Sequence, residues 1–368
     1  MFKFGTSGIR DLTENLLKDK IAAKLAKHLS KIGWQELTLG RDGRKGSDKL
    51  MAEFVENFSG HVVNLGVTTT PELAEQQGLA VMITASHNPS EYCGFKLYLN
   101  HQEQNTAELQ PKPVYNKWDL IPRDIIIDCA NGGLGHKLKS LGFTNIINFK
   151  GEINKNCGAT HPENLAKYCQ ENQQKIGFAV DGDADRFLMF LNDRVLAGEE
   201  VAFLIAKLLK LKRIVIDETV NSELGNHFDA VRCKVGGHAV ITAMQQNNIT
   251  FGAEKSGHYY FNSNVGASDA LDAMILLSQG YHELGVDGLL KMLAKYKPYY
   301  QFNINIKINE LPENFEQILD TVILPKNVRK VIRKSGTEPL LRIMIEGKTK
   351  ANVDQEFAKI ADLLGIKK

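Results

Sequence analysis

Short apolar runs rich in β-branched and aromatic residues recur along most of the chain, with amphipathic segments of helical period between them. Candidate strands are "LTLG" (37–40), "VVNLG" (62–66), "AVMITA" (80–85), "DIIIDCA" (124–130), "NIINF" (145–149), "RIVID" (213–217) and "ITFGA" (249–253), with helical stretches such as "KIAAKLAKHLSKIG" and "EVAFLIAKLLKLK". Runs of this kind pack as sheets covered by helices, so several βα units in series are expected. Residues 100–124 are polar, hold three prolines and carry no sustained period, which reads as a linker. Near "AKYKPYYQ" (294–301) the character changes to an alternating strand "FNINIKI", a helix "ENFEQILDTV", strands "VRKVIRKSG" and "LLRIMIEG" and a closing helix, a small α+β unit. The strand-helix rhythm restarts near 211, before "KRIVIDET", which suggests a further division. Three α/β units of similar size would be distant structural repeats.

A length of 368 residues and an apolar fraction of 43% allow more than one buried core. The formal charge is +2 with basic and acidic residues interspersed, so no nucleic-acid or membrane footprint is expected and partners are expected to be small molecules. The five cysteines are far apart and form no C-x-x-C pair, which argues against a disulfide framework or a zinc site. No apolar run approaches a membrane span and the first residues lack a signal-peptide core, so a cytoplasmic location is expected.

"DGDADR" (181–186) puts Asp181, Asp183 and Asp185 on alternate positions, where they can converge on one point, and adds Arg186. Carboxylates that close repel unless something neutralises them, and the usual neutraliser is a hard divalent cation. The apolar runs 176–180 and 187–191 read as strands that pinch the loop, which a solvated acidic turn does not need. A calcium loop fails because position six is Arg186 and position twelve is Asn192. The better reading is a Mg2+ site at a strand end, with Arg186 aimed at a phosphate.

Other stretches carry weaker signals singly. "TASHNPSEYCGFKLY" (84–98) offers Ser86 beside His87 at a strand end with Lys96 ten residues on, and the absence of G-x-S-x-G disfavours a hydrolase. In "RKSGTEPLLR" (333–342) Arg333, Ser335, Gly336 and Thr337 combine a fork-shaped cation, hydroxyls and free backbone N–H groups, as a phosphate requires. "AEKSGH" supplies Glu254, Ser256 and His258, a set suited to a polyhydroxylated ligand. "FGTSGIR" (4–10) ends in Arg10 and would give one more anion contact. No Walker A pattern is present, and "NGGLG" (131–135) is too loose for a dinucleotide fingerprint.

In this order, "KFGTSGIR", "TASHNP", "DGDADR", "EKSGH" and "RKSGTEPLLRIMIEG" resemble the α-D-phosphohexomutase family over nearly the whole chain. The resemblance implies three α/β domains and a smaller C-terminal α+β domain around a central cleft, which we place at 1–122, 123–211, 212–298 and 299–368. It implies a phosphate carried on Ser86 and Mg2+ held by Asp181, Asp183, Asp185 and an oxygen of that phosphoserine. His87, Lys96, Arg10 and Arg186 would flank the transferring group. Glu254, Ser256, His238 and His258 would face the sugar, and Arg333, Ser335, Gly336 and Thr337 would hold the idle phosphate. The implied reaction interconverts hexose 1- and 6-phosphates through a 1,6-bisphosphate, which also serves as activator. "FGTSGIR", "TASHNP" and Gly237-His238 resemble the glucose- and mannose-phosphate branch, whereas "IDCANGG", "INKNCGATHPENL" and "RKSGTEPLLRIMIEG" look more like phosphoglucosamine mutases; glucose or mannose phosphates are favoured. A phosphatase, and a sugar-phosphate sensor without catalysis, are the alternatives from other classes. Asp11, Cys93 and Ala253 depart from the family pattern, and the chain is several tens of residues shorter than most members.

Overall fold

A computed structural model describes residues 9–31, 34–76, 79–99, 120–261, 267–312, 314–320, 322, 324, 325, 327–334 and 339–365. The expected linker lies mostly outside them, as do Ser335, Gly336, Thr337 and most of "FGTSGIR".

The first sheet holds β1 (Ile9–Leu12), β2 (Glu36–Arg41), β3 (His61–Val67), β4 (Leu79–Ile83) and β5 (Tyr92–Leu99) in the order β1-β5-β4-β2-β3. The second holds β6 (Ile126–Asp128), β7 (Ile146–Ile147), β8 (Ile176–Val180), β9 (Phe187–Leu191) and β10 (Arg194–Val195), ordered β10-β9-β8-β6-β7. The third holds β11 (Arg213–Asp217), β12 (Asp229–Cys233), β13 (Phe251–Ala253) and β14 (Tyr259–Phe261), ordered β12-β11-β13-β14. The last is an antiparallel sheet of β15 (Tyr300–Lys307), β16 (Val328–Lys334) and β17 (Leu340–Gly347), with β17 central and the helix Lys350–Leu364 packed on it.

One plan repeats in the first three sheets. Two parallel pairings join three consecutive strands (β3-β2-β4, β7-β6-β8, β12-β11-β13), and the third strand then pairs antiparallel with its successor (β5, β9, β14). The strands that lead into the hairpins, "LAVMI", "IGFAV" and "FGA", are buried along their whole length, which is why they read as unbroken apolar runs rather than alternating ones. Each hairpin therefore leaves the carboxyl end of a central parallel strand, where ligands of open α/β sheets bind. The three hairpins are the S-H-N-P, D-G-D-A-D-R and E-K-S-G-H stretches.

The first sheet has its own core around Leu39, Phe54, Val81 and Phe95. One apolar cluster runs through the second and third sheets, from Phe178 and Phe187 across Phe203 of the helix Gly198–Leu208 to Ile216, Tyr259 and Met274. The C-terminal unit has a separate core around Ile343, Ile345 and Ile360. No helix among the described residues is long and apolar enough to cross a membrane.

Candidate active site

The S-H-N-P turn starts where β4 ends. Ser86 takes φ of 53°, in the left-handed region that a side chain rarely occupies, so the turn needs external support. Asn154 Nδ2 and Arg44 Nη2 supply it, donating to the Ser86 carbonyl at 2.7 and 3.1 Å. Arg44 also donates to the carbonyls of Pro89 and Tyr92, and its Nε lies 2.9 Å from Asp42 Oδ2. The same Asp42 oxygen accepts from Thr84 Oγ1 at 2.6 Å, and Thr84 Oγ1 accepts the Ser86 N–H at 2.8 Å.

Ser86 Oγ then points at the aspartate loop, 2.9 Å from Asp181 Oδ2 and 3.4 Å from Asp185 Oδ1. Asp181 Oδ1 accepts the backbone N–H groups of Asp185 and Arg186, which folds the loop back so that the three carboxylates meet. One oxygen from each lies within 4.8 Å of the others, and all three residues are buried. Burial first, and then the charges of Asp185 and Asp183, push Asp181 up to about 7. Lys96 Nζ bridges Asp183 Oδ2 and Asp185 Oδ2 at 2.6 Å each. Those two charges outweigh the burial of Lys96 and raise its pKa, so it stays an ammonium.

The residues fit a divalent cation. Asp183 Oδ1 is buried and has no hydrogen-bond partner, an arrangement that costs free energy unless a cation receives it. All candidate donors are hard oxygens, as Mg2+ prefers.

Around Ser86 lies a cationic rim. Arg186 Nη2 is 2.7 Å from His87 Nδ1, and Arg10 Nη1 donates to Asn88 Oδ1 at 3.0 Å. Burial and the adjacent Arg186 and Arg10 push His87 down to about 2, so its imidazole is neutral, accepts from Arg186 at Nδ1 and carries its proton on Nε2.

The third hairpin closes over the second. Arg186 and His258 form an isolated antiparallel bridge, and Ser268 Oγ donates to the Asp185 carbonyl at 2.5 Å. His258 sits between carboxylates, with Nε2 3.2 Å from Asp185 Oδ1 and Nδ1 3.2 Å from Glu254 Oε2. Burial opposes its charge, but Asp185 and Glu254 prevail and hold it up at about 9. Both oxygens of Glu254 are engaged, Oε1 by the Gly236 N–H at 2.8 Å and Oε2 by Tyr260 Oη at 2.8 Å. Ser256 is exposed, with Oγ 2.7 Å from His258 Nδ1. His238 is exposed one residue after that Gly236-Gly237 corner, in the first turn of the helix Gly237–Asn247.

Of the anticipated residues, Ser86, His87, Lys96, Arg10, Arg186, the three aspartates and His258 thus form one connected cluster, continued by Glu254 and Ser256. His238 follows two residues after Gly236, whose N–H reaches Glu254, and its own Nδ1 lies 3.4 Å from Thr242 Oγ1. Arg333 stands half-buried at the end of β16, where burial and the neighbouring Arg342 lower its pKa against the opposing pull of Asp217, Glu218 and Glu254. Arg44, Asp42, Thr84, Asn154 and Thr70 were missed from sequence. So was the reason for "NGG": a Cβ on Gly132 would lie 2.1 Å from the Gly182 carbonyl oxygen, and one on Gly133 2.2 Å from that of Thr68. Those glycines exist to let the backbone touch the aspartate loop and its neighbour.

The ends of three repeated sheets thus bring together a serine turn, an acidic cluster that can hold a divalent cation and a polar loop, and the protein is a phosphohexomutase, an isomerase, as the comparisons with its relatives show. The chain belongs to the phosphoglucomutase/phosphomannomutase family: residues 1–112 match its alpha/beta/alpha domain I, 198–299 its alpha/beta/alpha domain III and 304–363 its C-terminal domain. It is 29% identical to the phosphoglucosamine mutase of Dictyoglomus turgidum, covering 94% of each chain. Its fold is shared with a phosphoglucomutase/phosphomannomutase family protein from Burkholderia thailandensis, at a TM-score of 0.76 and 19% identity over 99% of this chain and 98% of that one. The Aspergillus fumigatus N-acetylphosphoglucosamine mutase, solved with GlcNAc-6P and magnesium, has the same fold at a TM-score of 0.62 and 16% identity, over 99% and 95% of the two chains.

Proposed function

We propose that this enzyme interconverts the 1- and 6-phosphates of a hexose by way of a phosphoserine at Ser86, with a hexose 1,6-bisphosphate as intermediate and activator. The observation that carries the reading is the approach of Ser86 Oγ to two members of a buried three-aspartate cluster, one of whose oxygens has no hydrogen-bond partner. In this reading the four units 1–122, 123–211, 212–298 and 299–368 would each contribute one loop to the site.

Asp181, Asp183, Asp185 and an oxygen of the phosphorylated Ser86 would hold Mg2+, which when bound supplies positive charge to the phosphoryl oxygens. The chain's own residues do the rest. Arg10, Arg186 and Lys96 add cationic charge around the phosphoryl group, and His87 offers its Nε2–H as a donor. In transfer, the bond from phosphorus to Ser86 Oγ breaks, one to a sugar hydroxyl forms, the hydroxyl gives up its proton and Ser86 Oγ regains one. The bisphosphate turns over and returns its other phosphate to Ser86. Glu254, Ser256, His238 and His258 line the face on which the sugar would rest in either orientation, with Arg333, Ser335, Gly336 and Thr337 gripping the idle phosphate.

For the sugar, the near full-length relatives are phosphoglucosamine mutases, and this shifts first choice to glucosamine phosphate. The glucose- and mannose-phosphate reading keeps one observation in its favour, the exposed His238 beside the Glu254 corner. 31P NMR with Mg2+ and a trace of hexose 1,6-bisphosphate tests both, with glucosamine, glucose and mannose 1-phosphates in separate tubes. A 6-phosphate resonance growing in one tube names the sugar; release of inorganic phosphate alone would replace the mutase by a phosphatase. Ser86→Ala is expected to abolish transfer and leave sugar-phosphate binding largely intact, and substantial turnover by that variant removes Ser86 from the reaction.

A further inference from the structure

The sequence "TTTP" follows β3, and its three threonines are buried. Thr68 Oγ1 donates to Glu72 Oε2 at 2.5 Å, and Thr69 caps the short helix Thr70–Ala74 by accepting the Glu72 N–H at 3.2 Å. Thr70 turns the other way, toward the second sheet. Its backbone N–H donates to the Asp183 carbonyl at 2.9 Å and its hydroxyl to Asp183 Oδ2 at 2.8 Å. A threonine hydroxyl has one proton to give, and this one goes to a carboxylate 113 positions away.

The two oxygens of Asp183 are consequently unlike. Oδ2 takes Thr70 Oγ1 and Lys96 Nζ, while Oδ1 is buried without a partner. A carboxylate free to rotate would offer either oxygen, or both. We propose that Thr70 is a positioning residue for the metal centre: its hydroxyl fixes the Asp183 carboxylate so that Oδ1 alone is presented to the divalent cation. This inference rests on the metal site proposed above. Its logic is that of outer-shell groups that orient ligands before the metal arrives. The backbone bond does not depend on the side chain, so replacing it with valine, alanine or serine isolates the orienting hydroxyl from the docking of the turn.

The test is titration of the full chain with Mn2+, free Mn2+ being followed by electron paramagnetic resonance, alongside Mg2+-induced shifts in melting temperature and the Mg2+ activation constant of the mutase reaction. Thr70→Val, Thr70→Ser, Thr70→Ala and Asp183→Asn are compared with the wild type. Thr70→Val is expected to weaken Mn2+ binding by about 10- to 100-fold, as outer-shell losses do, and to raise the Mg2+ activation constant with turnover recovering at saturating Mg2+. Thr70→Ser should restore most of the affinity. Should valine prevent folding, Thr70→Ala removes the same hydroxyl without added shape and stands in for it. A purely structural threonine would lower the melting temperature equally with and without Mg2+; a positioning one shrinks the metal-induced shift. Wild-type Mn2+ affinity in folded Thr70→Val or Thr70→Ala overturns the assignment of Thr70 while leaving the metal site in place. A wild type that binds no Mn2+, or an Asp183→Asn variant that binds it equally well, overturns the metal site itself.

Discussion

Ser86 shows how much of this site is spent on holding one residue still. Left-handed backbone at a non-glycine position costs roughly 1–2 kcal/mol, and the serine accepts it because its carbonyl is gripped from two elements. The larger share falls to Arg44, whose guanidinium reaches Asp42 and the carbonyls of Ser86, Pro89 and Tyr92 from one planar group. A lysine keeps the charge and cannot span those positions. Arg44→Lys is therefore expected to lower kcat with little change in sugar-phosphate affinity. Arg44→Ala, which leaves Asp42 buried without its cation, should cost about 3–5 kcal/mol in urea denaturation. An Arg44→Lys enzyme with unaltered kcat would mean that the Ser86 turn holds its own shape. Arg44, Asn154 and Thr70 escaped the sequence reading for a common reason: their partners lie 42, 68 and 113 positions away, and a single arginine, asparagine or threonine has no local signature.

At the scale of elements, the repeated hairpin explains why so much of the site was legible. Each reactive cluster is contiguous in sequence and sits between two apolar strands, so the motif and its structural frame are read together. The strands that enter the hairpins are equally plain because they are buried along their whole length. What sequence could not give is the packing of one hairpin against the next, which depends on backbones approaching across units. Gly132 is the sharpest instance. A methyl group there meets the Gly182 carbonyl, which is main chain and cannot swing aside. Gly132→Ala should displace the aspartate loop, costing about 1–3 kcal/mol of stability as overpacking does, and weaken Mn2+ binding in the same titration. Full metal affinity in that variant would show that the loop is positioned from elsewhere.

At the scale of the molecule, the C-terminal unit is attached to the third sheet mainly by polar groups rather than by a shared core. Glu346, on β17, accepts from the Ser222 N–H at 3.1 Å, from Ser222 Oγ, from Arg329 Nε at 3.1 Å and from Gln301 Nε2 at 2.6 Å. Arg329 extends onward to the carbonyls of Glu218 and Val220, and Asn221 exchanges two hydrogen bonds with the backbone of Tyr299. Burial disfavours the Glu346 charge, but the bonds from Arg329, Ser222 and Gln301 outweigh it and hold its pKa below the ordinary carboxylate range. A carboxyl depressed on docking stabilises the docked form above its free pKa, near 4.5, and loses that contribution as pH falls through the lower docked value. The clasp should therefore open in acid while the apolar cores persist. Hydrogen exchange is expected to rise first in β15–β17 and residues 217–222 on acidification, with β8 protected throughout. Glu346→Ala should give the same pattern at neutral pH and raise KM for the sugar phosphate, because Arg333, proposed above to grip the idle phosphate, belongs to the unit the clasp holds. If β8 and β17 lose protection together in both experiments, the C-terminal unit is bound as firmly as the cores are, and the clasp is not the weak joint of the molecule.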